Sequence, residues 1–179
     1  STVGSTVIDV DSLPARPTVT VNPPAVCVGA DVTISISNSN QYSNHTFNWH
    51  TPTGDTTTAQ SFIIIENAQI QDAGNYFALA TAAINGCVSD SSNPAPLVVS
   101  PIPQVPVITA NSPLCEGSTL QLNTQFIPNA MYEWMGPSGF AATTHNPSVP
   151  NVDLGDEGIY RVRIKINGCW SPLGEGVFV

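Results

Sequence analysis

The segment Asp72-Ala-Gly-Asn-Tyr76 has a close counterpart, Asp156-Glu-Gly-Ile-Tyr160, in the second half of the 179-residue chain. Both stretches read Asp-x-Gly-x-Tyr, and the second continues into Tyr160-Arg-Val-Arg-Ile-Lys-Ile166, where apolar and charged residues alternate. Strict alternation is typical of a β-strand with one buried face. The motif therefore indicates the entry into equivalent strands of an internal repeat.

The repeat extends over most of the chain. A shift of about 85 residues aligns three further features in the same order, which chance matching rarely achieves. These are the cysteines Cys27 and Cys115, the tryptophans Trp49 and Trp134, and the motifs Asn85-Gly-Cys87 and Asn167-Gly-Cys169. A Pro-x-Gly turn also follows each tryptophan, at Pro52 and at Pro137. We therefore predict two homologous domains, at residues 17–101 and 102–179.

Residues 1–16 precede the first copy. Ser5-Thr-Val-Ile-Asp-Val10 is similar to the last strand of the first copy, Ala95-Pro-Leu-Val-Val-Ser100. This similarity predicts a tail strand of a preceding repeat in a longer array; the alternative is an ordinary N-terminal extension. An orphan strand can also complete a neighbouring sheet by strand addition, as in a filament subunit. Between the copies, Ser100-Pro-Ile-Pro-Gln-Val-Pro106 contains three prolines, which predict an extended, semi-rigid linker and a rod of two domains.

Short strands separated by turn residues account for both copies. Val32-Thr-Ile-Ser-Ile36 and Leu120-Gln-Leu122 alternate, and turn residues recur at intervals of about ten, which indicates an antiparallel β-sandwich. Third strands are predicted around the tryptophans and a fifth strand at residues 61–66. The corresponding stretch of the second copy, Asn146-Pro-Ser-Val-Pro150, contains two prolines, so it is predicted to be an edge strand or a loop.

A tryptophan on the third strand followed by Asp-x-Gly-x-Tyr at the sixth resembles the immunoglobulin (Ig) fold with its tyrosine corner. The fold class implied is all-β, with two tandem Ig-like antiparallel β-sandwich domains. The core residues implied are Trp49, Tyr76, Trp134 and Tyr160. Antibody-type domains place a cysteine two residues after the tyrosine, where this chain has Ala78 and Val162. Apolar packing is therefore expected in place of the intersheet disulfide.

The cysteines lie instead before the second strand and in the hairpin that opens the seventh. This pattern resembles the Ig-like repeats of very large Bacteroidota surface proteins, including gliding-motility-associated adhesins exported by the type IX secretion system. The resemblance implies an extracellular or cell-surface location. It also points to O-glycosylation at Ser12 and Thr56, because Asp11-Ser-Leu13 and Asp55-Thr-Thr57 are similar to the Asp-Ser/Thr-apolar signal of that phylum.

The sequence allows two patterns of cysteine pairing. Four cysteines in an acidic, lysine-poor chain fit an oxidising exterior better than a reducing cytosol. Pairing within each copy, Cys27 with Cys87 and Cys115 with Cys169, is the preferred prediction. In a regular Ig topology, however, the turn before the second strand and the sixth-to-seventh hairpin lie at opposite ends of the sandwich. The alternative is therefore Cys27 with Cys169.

Composition excludes several classes of function. Four Lys and Arg against 13 Asp and Glu leave too few cations to bind nucleic acid phosphates, and no apolar run approaches the length of a membrane span. No nucleophile–base, phosphate-binding or dinucleotide motif occurs, so neither catalysis nor a cofactor is expected. The histidines His45, His50 and His145 are poor metal ligands. Asp153, Asp156 and Glu157 could offer oxygens to calcium but are interpreted as turn-bonded or solvated.

The leading hypothesis is a non-catalytic extracellular structural repeat, a stalk or spacer of a large adhesin or filament. Its partners would be neighbouring repeats or subunits. One alternative is an Ig-like recognition module for a surface glycan or a protein, in which Trp170 and Phe140 supply ligand or interface contacts. Another alternative is an accessory domain of a secreted hydrolase, because an Ig-like fold by itself does not specify function.

Overall fold

The computed structural model describes residue 8 and residues 10–179 of the chain. Within these residues the regular structure consists of β-strands and four short 3-10 helices. The predicted tail strand at residues 5–10 falls largely outside the described residues. The chain divides into two compact units at the junction between Val99 and Ser100.

The first unit is a sandwich of two sheets. Its strands are β1 (Val19–Asn22), β2 (Ala25–Cys27), β3 (Val32–Ile36), β4 (His45–Thr51), β5 (Gly54–Thr58), β6 (Phe62–Ile65), β7 (Gly74–Ala82) and β8 (Ala95–Ser100). One sheet has the strand order β1-β3-β6 and the other has β2-β8-β7-β4-β5. The predicted fifth strand at residues 61–66 corresponds to β6, so its existence is confirmed.

The core of the first unit follows from the alternation of its strands. In β3 the side chains of Val32, Ile34 and Ile36 are buried, while the residues between them face outward. Trp49 on β4 lies directly opposite Ala78 on β7, and both are completely buried. Apolar packing of tryptophan against a small residue thus occupies the position where antibody-type domains place a cysteine.

The second unit has the same plan. Its strands are β9 (Ile108–Ala110), β10 (Leu120–Thr124), β11 (Met131–Met135), β12 (Ala141–Ala142), β13 (Ser148–Val149), β14 (Ile159–Ile166), β15 (Cys169–Trp170) and β16 (Val177–Phe178). One sheet has the order β13-β10-β9; the other has β12-β11-β14-β15, with β16 also pairing with β14. The weakly marked segment around its two prolines forms β13, a two-residue edge strand, as predicted.

The core of the second unit repeats that of the first. Trp134 on β11 lies opposite Val162 on β14, and both are completely buried. Leu120 and Leu122 on β10 complete the centre of this core, again with no exposure. The all-β prediction with two Ig-like sandwiches is therefore confirmed.

A contact between two sequence motifs fixes the start of the sixth Ig strand in both units. Gly74, within the Asp-x-Gly-x-Tyr motif, has φ of +148°, and a Cβ at this position would lie 2.7 Å from Cγ of Pro52. In the second unit, Gly158 has φ of +147°, and its Cβ would lie 2.8 Å from Cγ of Pro137. Glycine is required there because both the backbone conformation and the proline ring exclude a side chain.

Candidate interaction sites

The two tyrosine corners are built on equivalent 3-10 turns. In the turn Ile70–Asp72, the Tyr76 hydroxyl donates a hydrogen bond to the Asp72 carbonyl oxygen at 2.7 Å. In the turn Leu154–Asp156, the Tyr160 hydroxyl donates to the Asp156 carbonyl oxygen at 3.0 Å. Each tyrosine therefore ties the turn to the core strand that follows it.

Burial raises the pKa of both tyrosines. Loss of hydration, with a smaller contribution from the neighbouring Asp72 carboxylate, raises the pKa of Tyr76 to about 12. Burial and then Asp156 raise the pKa of Tyr160 as well. Both hydroxyls consequently remain protonated donors across the physiological range, which is what a structural hydrogen bond requires.

Two residues of the Asp153, Asp156 and Glu157 cluster cap the second of these turns. The Asp153 carboxylate accepts a hydrogen bond from the Gly155 backbone N–H at 2.7 Å, and the Asp156 carboxylate accepts one from the Asp153 N–H at 3.2 Å. Two carboxylates thus form a capping box that satisfies backbone donors at the start of the turn. Among the described residues there is no group of three or more side chains arranged to hold a metal ion.

Each histidine contacts a nearby side chain or backbone oxygen of its own unit. His50 contacts the Asp55 carboxylate at 2.9 Å and stacks on Phe77, with ring centroids 4.8 Å apart. The other two histidines contact backbone carbonyl oxygens: His45 contacts that of Ser43 at 2.7 Å, and His145 contacts that of Thr124 at 2.7 Å.

Trp170 lies under a pair of cationic side chains. Arg163 and Lys165 occupy alternate positions of β14, and Trp170 on β15 pairs with Lys165 in the β-ladder. The Arg163 guanidinium carbon is 4.4 Å from the indole centroid and the Lys165 ammonium is 5.5 Å from it. Arg163 is also ion-paired with Glu133 on the next strand, β11. One face of the ring is thus engaged in cation–π contacts within its own sheet.

A signal for this arrangement is present in the sequence, although the two interpretations of Trp170 were a ligand or interface contact and packing over a disulfide. In Tyr160-Arg-Val-Arg-Ile-Lys-Ile166 the cationic residues all fall on one face of the strand, because side chains alternate between faces. A tryptophan in the adjacent hairpin strand is well placed to meet them.

Phe140 packs inward rather than standing clear of the surface. Its ring meets that of Tyr160 edge to face, with centroids 5.4 Å apart, and it joins the side chains packed against the second core. The side chains predicted as O-glycosylation sites, Ser12 and Thr56, are both exposed. Both hydroxyls are accessible, and their modification stays a prediction.

The bonding state of the cysteines differs from the preferred prediction. Cys27 and Cys169 are disulfide-bonded, whereas Cys87 and Cys115 are free thiols. Pairing within each copy is therefore wrong, because it needs both of the free cysteines. The alternative, Cys27 with Cys169, uses only cysteines that are disulfide-bonded.

The physical reason is the distance along one strand. The turn after Cys27 is hydrogen-bonded to the loop that precedes β7, through the Gly29 N–H and the Ala68 carbonyl at 2.8 Å. Cys87, by contrast, follows the far end of β7. A nine-residue strand spans roughly 30 Å, whereas a disulfide needs Cα atoms within about 7 Å. In the second copy, the turn after Cys115 is hydrogen-bonded to the loop that precedes β14, through the Gly117 N–H and the Val152 carbonyl. Cys169 follows the far end of β14, so the two cysteines are separated in the same way.

The free thiol of Cys115 lines a concave apolar pocket of the second unit. The pocket has a volume of about 410 Å³, and its apolar walls include Leu114, Val152, Leu154 and Phe178. Leu154 is 77% exposed and Phe178 is 64% exposed, so these apolar side chains face solvent at the pocket. Four acidic residues also line the pocket: Glu116, Asp153, Asp156 and Glu157.

The other free thiol, Cys87, lies in a hydrogen-bonded hairpin of the first unit. The Gly86 N–H donates to the Ala82 carbonyl at 2.9 Å, and the Cys87 N–H donates to the Asn85 side chain at 3.0 Å. Beside the half-buried Cys87, the Ile84 side chain is 93% exposed. The Asn85 amide of the same hairpin donates a hydrogen bond to the Asp11 carboxylate at 2.8 Å.

Comparison with known proteins agrees with the fold. Residues 14–101 match the family described as Ig-like domain CHU_C associated, which supports an Ig-like domain of the Bacteroidota type in the first copy. No curated protein matches the chain. Ig-like domains are typically non-catalytic, and together with the fold this match supports a non-catalytic, extracellular Ig-like module. In the part of the chain that the structure describes, no helix has the length and apolar character needed to cross a membrane.

Two solved structures are similar to this chain at low sequence identity. The three N-terminal domains of the bacteriophage RB49 Highly Immunogenic Outer Capsid protein (Hoc) match at 14% identity and a TM-score of 0.47, covering 84% of this chain and 54% of that one. The human OSCAR ligand-binding domain matches at 14% identity and a TM-score of 0.41, covering 94% of this chain and 100% of that one. The chain spans about half the length of the phage structure.

Proposed function

We propose that the chain is a structural repeat, a stalk or spacer within a large cell-surface adhesin or filament, with neighbouring repeats or subunits as its partners. The observation that carries this proposal is that each of the two Ig-like sandwiches contains a disulfide-bonded cysteine, Cys27 in the first and Cys169 in the second. Stable disulfides belong to oxidising compartments, and Ig-like sandwiches recur in extracellular arrays. The resemblance to Bacteroidota surface repeats extends the proposal to export by the type IX secretion system.

The engagement of the conspicuous aromatic side chains also supports a structural role. A sugar-binding platform needs an open aromatic face, and Arg163 already covers one face of Trp170, while Phe140 packs on Tyr160. Glycan recognition through these two residues is consequently the weaker hypothesis. A glycan array on the chain and on Trp170→Ala tests it: binding that the substitution abolishes would favour the recognition module.

The location and the assembly are tested on the native host. Antibodies raised against the chain should label intact cells without permeabilisation, and gold-labelled negative-stain images should show them along beaded surface fibres. Labelling that appears only after permeabilisation, or that is confined to compact secreted particles, contradicts the proposal. Antibodies to a cytoplasmic protein of the same cells provide the control for membrane integrity.

A further inference from the structure

The outward face of β14 carries three of the four Lys and Arg residues of the chain. They occupy alternate positions of the strand, about 7 Å apart, so their side chains lie on the same side of the sheet. We refer to these three half-buried residues as the cationic face: Arg161, Arg163 and Lys165. Because the net charge of the chain is −9, this face has the opposite sign to the molecule as a whole.

The fold does not require these cations. At the equivalent positions of β7, the first unit has three residues without charge, Phe77, Leu79 and Thr81. The buried tryptophan nevertheless lies opposite the same strand position in both units. The sandwich therefore forms without charge on this face, and the cations of the second unit point to a role beyond folding.

Within the described residues, a carboxylate neutralises one of the three cations. Arg163 is ion-paired with Glu133, and its guanidinium carbon lies over the Trp170 ring. In the same part of the chain, neither Arg161 nor Lys165 forms an ion pair. Two positive charges thus remain available to a partner.

Exposed methionines border the cationic face. In the ladder between β11 and β14, Met135 pairs with Arg161 and Met131 pairs with Lys165. Met131 is 64% exposed. Methionine, arginine and aromatic side chains are enriched in protein interfaces, so this composition favours a protein partner over a glycan or a lipid surface.

The second unit also carries a surface of opposite charge, the pocket that Cys115 lines. We refer to it as the acidic pocket, because four acidic residues line it beside the exposed Leu154 and Phe178: Glu116, Asp153, Asp156 and Glu157. Phe178 pairs with Ile159, which lies two residues before Arg161 on β14. The acidic pocket and the cationic face are therefore adjacent.

We propose that the cationic face binds the acidic pocket of a second copy of this chain. Lys and Arg side chains place their aliphatic stems on apolar surface while their charged groups meet carboxylates, and the acidic pocket offers both. Because the two surfaces are adjacent on one unit, the contact can form twice about a two-fold axis. The proposal rests on the proposed function, in which neighbouring subunits are the partners, and assigns the surfaces that they use.

The contact has to act against the net negative charge of both copies. At physiological ionic strength the Debye length is about 8 Å, so repulsion between distant charges is screened while charges in contact still attract. At about 1 M salt the Debye length falls to about 3 Å, and the contact weakens as well. Self-association should therefore occur at physiological salt and disappear at high salt.

The test reverses the charge of each surface separately. The face variant combines Arg161→Glu with Lys165→Glu and keeps Arg163 with its ion pair. The pocket variant combines Glu116→Lys with Glu157→Lys and keeps the two aspartates that cap the turn. Each variant is made in the full chain, and its urea midpoint checks that it is folded.

Sedimentation velocity over a range of concentrations measures the association. The parent chain and both variants carry Cys87→Ser and Cys115→Ser, so that no covalent dimer forms. The parent should form a dimer in about 0.15 M salt and a monomer in about 1 M salt. Each variant alone should have a dimer dissociation constant about tenfold or more above that of the parent, because it places like charges in contact.

An equimolar mixture of the two variants provides the decisive comparison. The glutamates of the face variant meet the lysines of the pocket variant, and the unchanged cations of the pocket variant meet the unchanged carboxylates of the face variant. The mixture should therefore dimerise as the parent does. Arg16→Glu, which reverses the fourth cation of the chain, is the matched control and should leave the association of the parent unchanged.

Three results overturn the proposal: a parent chain that stays monomeric up to about 1 mM, variants that dimerise as the parent does, or a mixture that dimerises no better than its components. A monomeric parent that binds polygalacturonate, with binding lost in the face variant, would instead assign the face to an acidic glycan. The measurement on the parent needs no charge reversal, so an unfolded variant does not leave the proposal untested. Surface labelling of cells does not depend on this contact, so it separates failure of the contact from failure of the proposed function.

Discussion

At the scale of single residues, the two tyrosine corners make the most direct prediction. Tyr76→Phe and Tyr160→Phe each remove one hydroxyl and leave a turn carbonyl without its donor. We expect each substitution to lower the free energy of unfolding by about 1–3 kcal/mol, as for other buried groups left unsatisfied. The shift in the urea midpoint measures this loss. Tyr42→Phe is the control: its hydroxyl bonds to the Ala15 carbonyl in an exposed setting, so its loss should cost less.

A pH dependence follows from the pKa of Tyr76. In the folded chain this pKa is raised from 10.0 to about 12, so folding favours the protonated tyrosine. Its contribution to stability is therefore complete below the unfolded pKa of 10 and is lost as the pH rises toward 12. The urea midpoint should fall over this interval, and the fall should be shallower in Tyr76→Phe. Equal slopes for the two proteins would contradict the assignment.

At the scale of elements, the Pro–Gly contact at the start of β7 sets the geometry of the first sandwich. Gly74→Ala should lower the free energy of unfolding by about 2–4 kcal/mol, because the new methyl group meets Pro52 and the backbone conformation excludes a side chain. In a Pro52→Ala background the same substitution should cost at least about 1 kcal/mol less. A double-mutant cycle by urea denaturation measures this difference.

The second copy and a remote glycine provide the controls for this cycle. Gly158→Ala with Pro137→Ala should show the same coupling, since the geometry is repeated there. Gly86→Ala should cost only about 1–2 kcal/mol, because Gly86 has a positive φ but no atom near its missing side chain. Additive effects of Gly74→Ala and Pro52→Ala would show that the two motifs do not interact.

These elements illustrate which parts of the fold a sequence can predict. The strands containing Trp49 and Tyr76 were predictable because their motifs are local and strand alternation identifies the buried face. The contact between Pro52 and Gly74 was not, although both motifs were recognised, because it joins turns that only the paired strands bring together. The environment of Trp170 was missed for a similar reason: cross-strand neighbours depend on register.

At the scale of the whole molecule, the cysteines show where sequence spacing fails. Cys27 and Cys87 recur at matching positions in both copies, which suggests that each copy closes its own disulfide. A strand of nine residues between the two positions prevents that closure. The topology therefore argues against pairing within each copy, because the two cysteine positions lie at opposite ends of the sandwich, whereas loop length and repeat equivalence favour it.

The number of thiols that react with an alkylating reagent follows from the bonding state of the four cysteines. Freshly purified, monomeric chain should take up two alkyl groups in native buffer, and four after denaturation with reductant, because two of its four cysteines are bonded. Cys115 should react faster than Cys87, since it is exposed while Cys87 is half-buried. Intact mass spectrometry with time points measures both values. Cys115→Ser should take up one group slowly, and uptake of no group or of four groups before reduction would contradict the disulfide assignment.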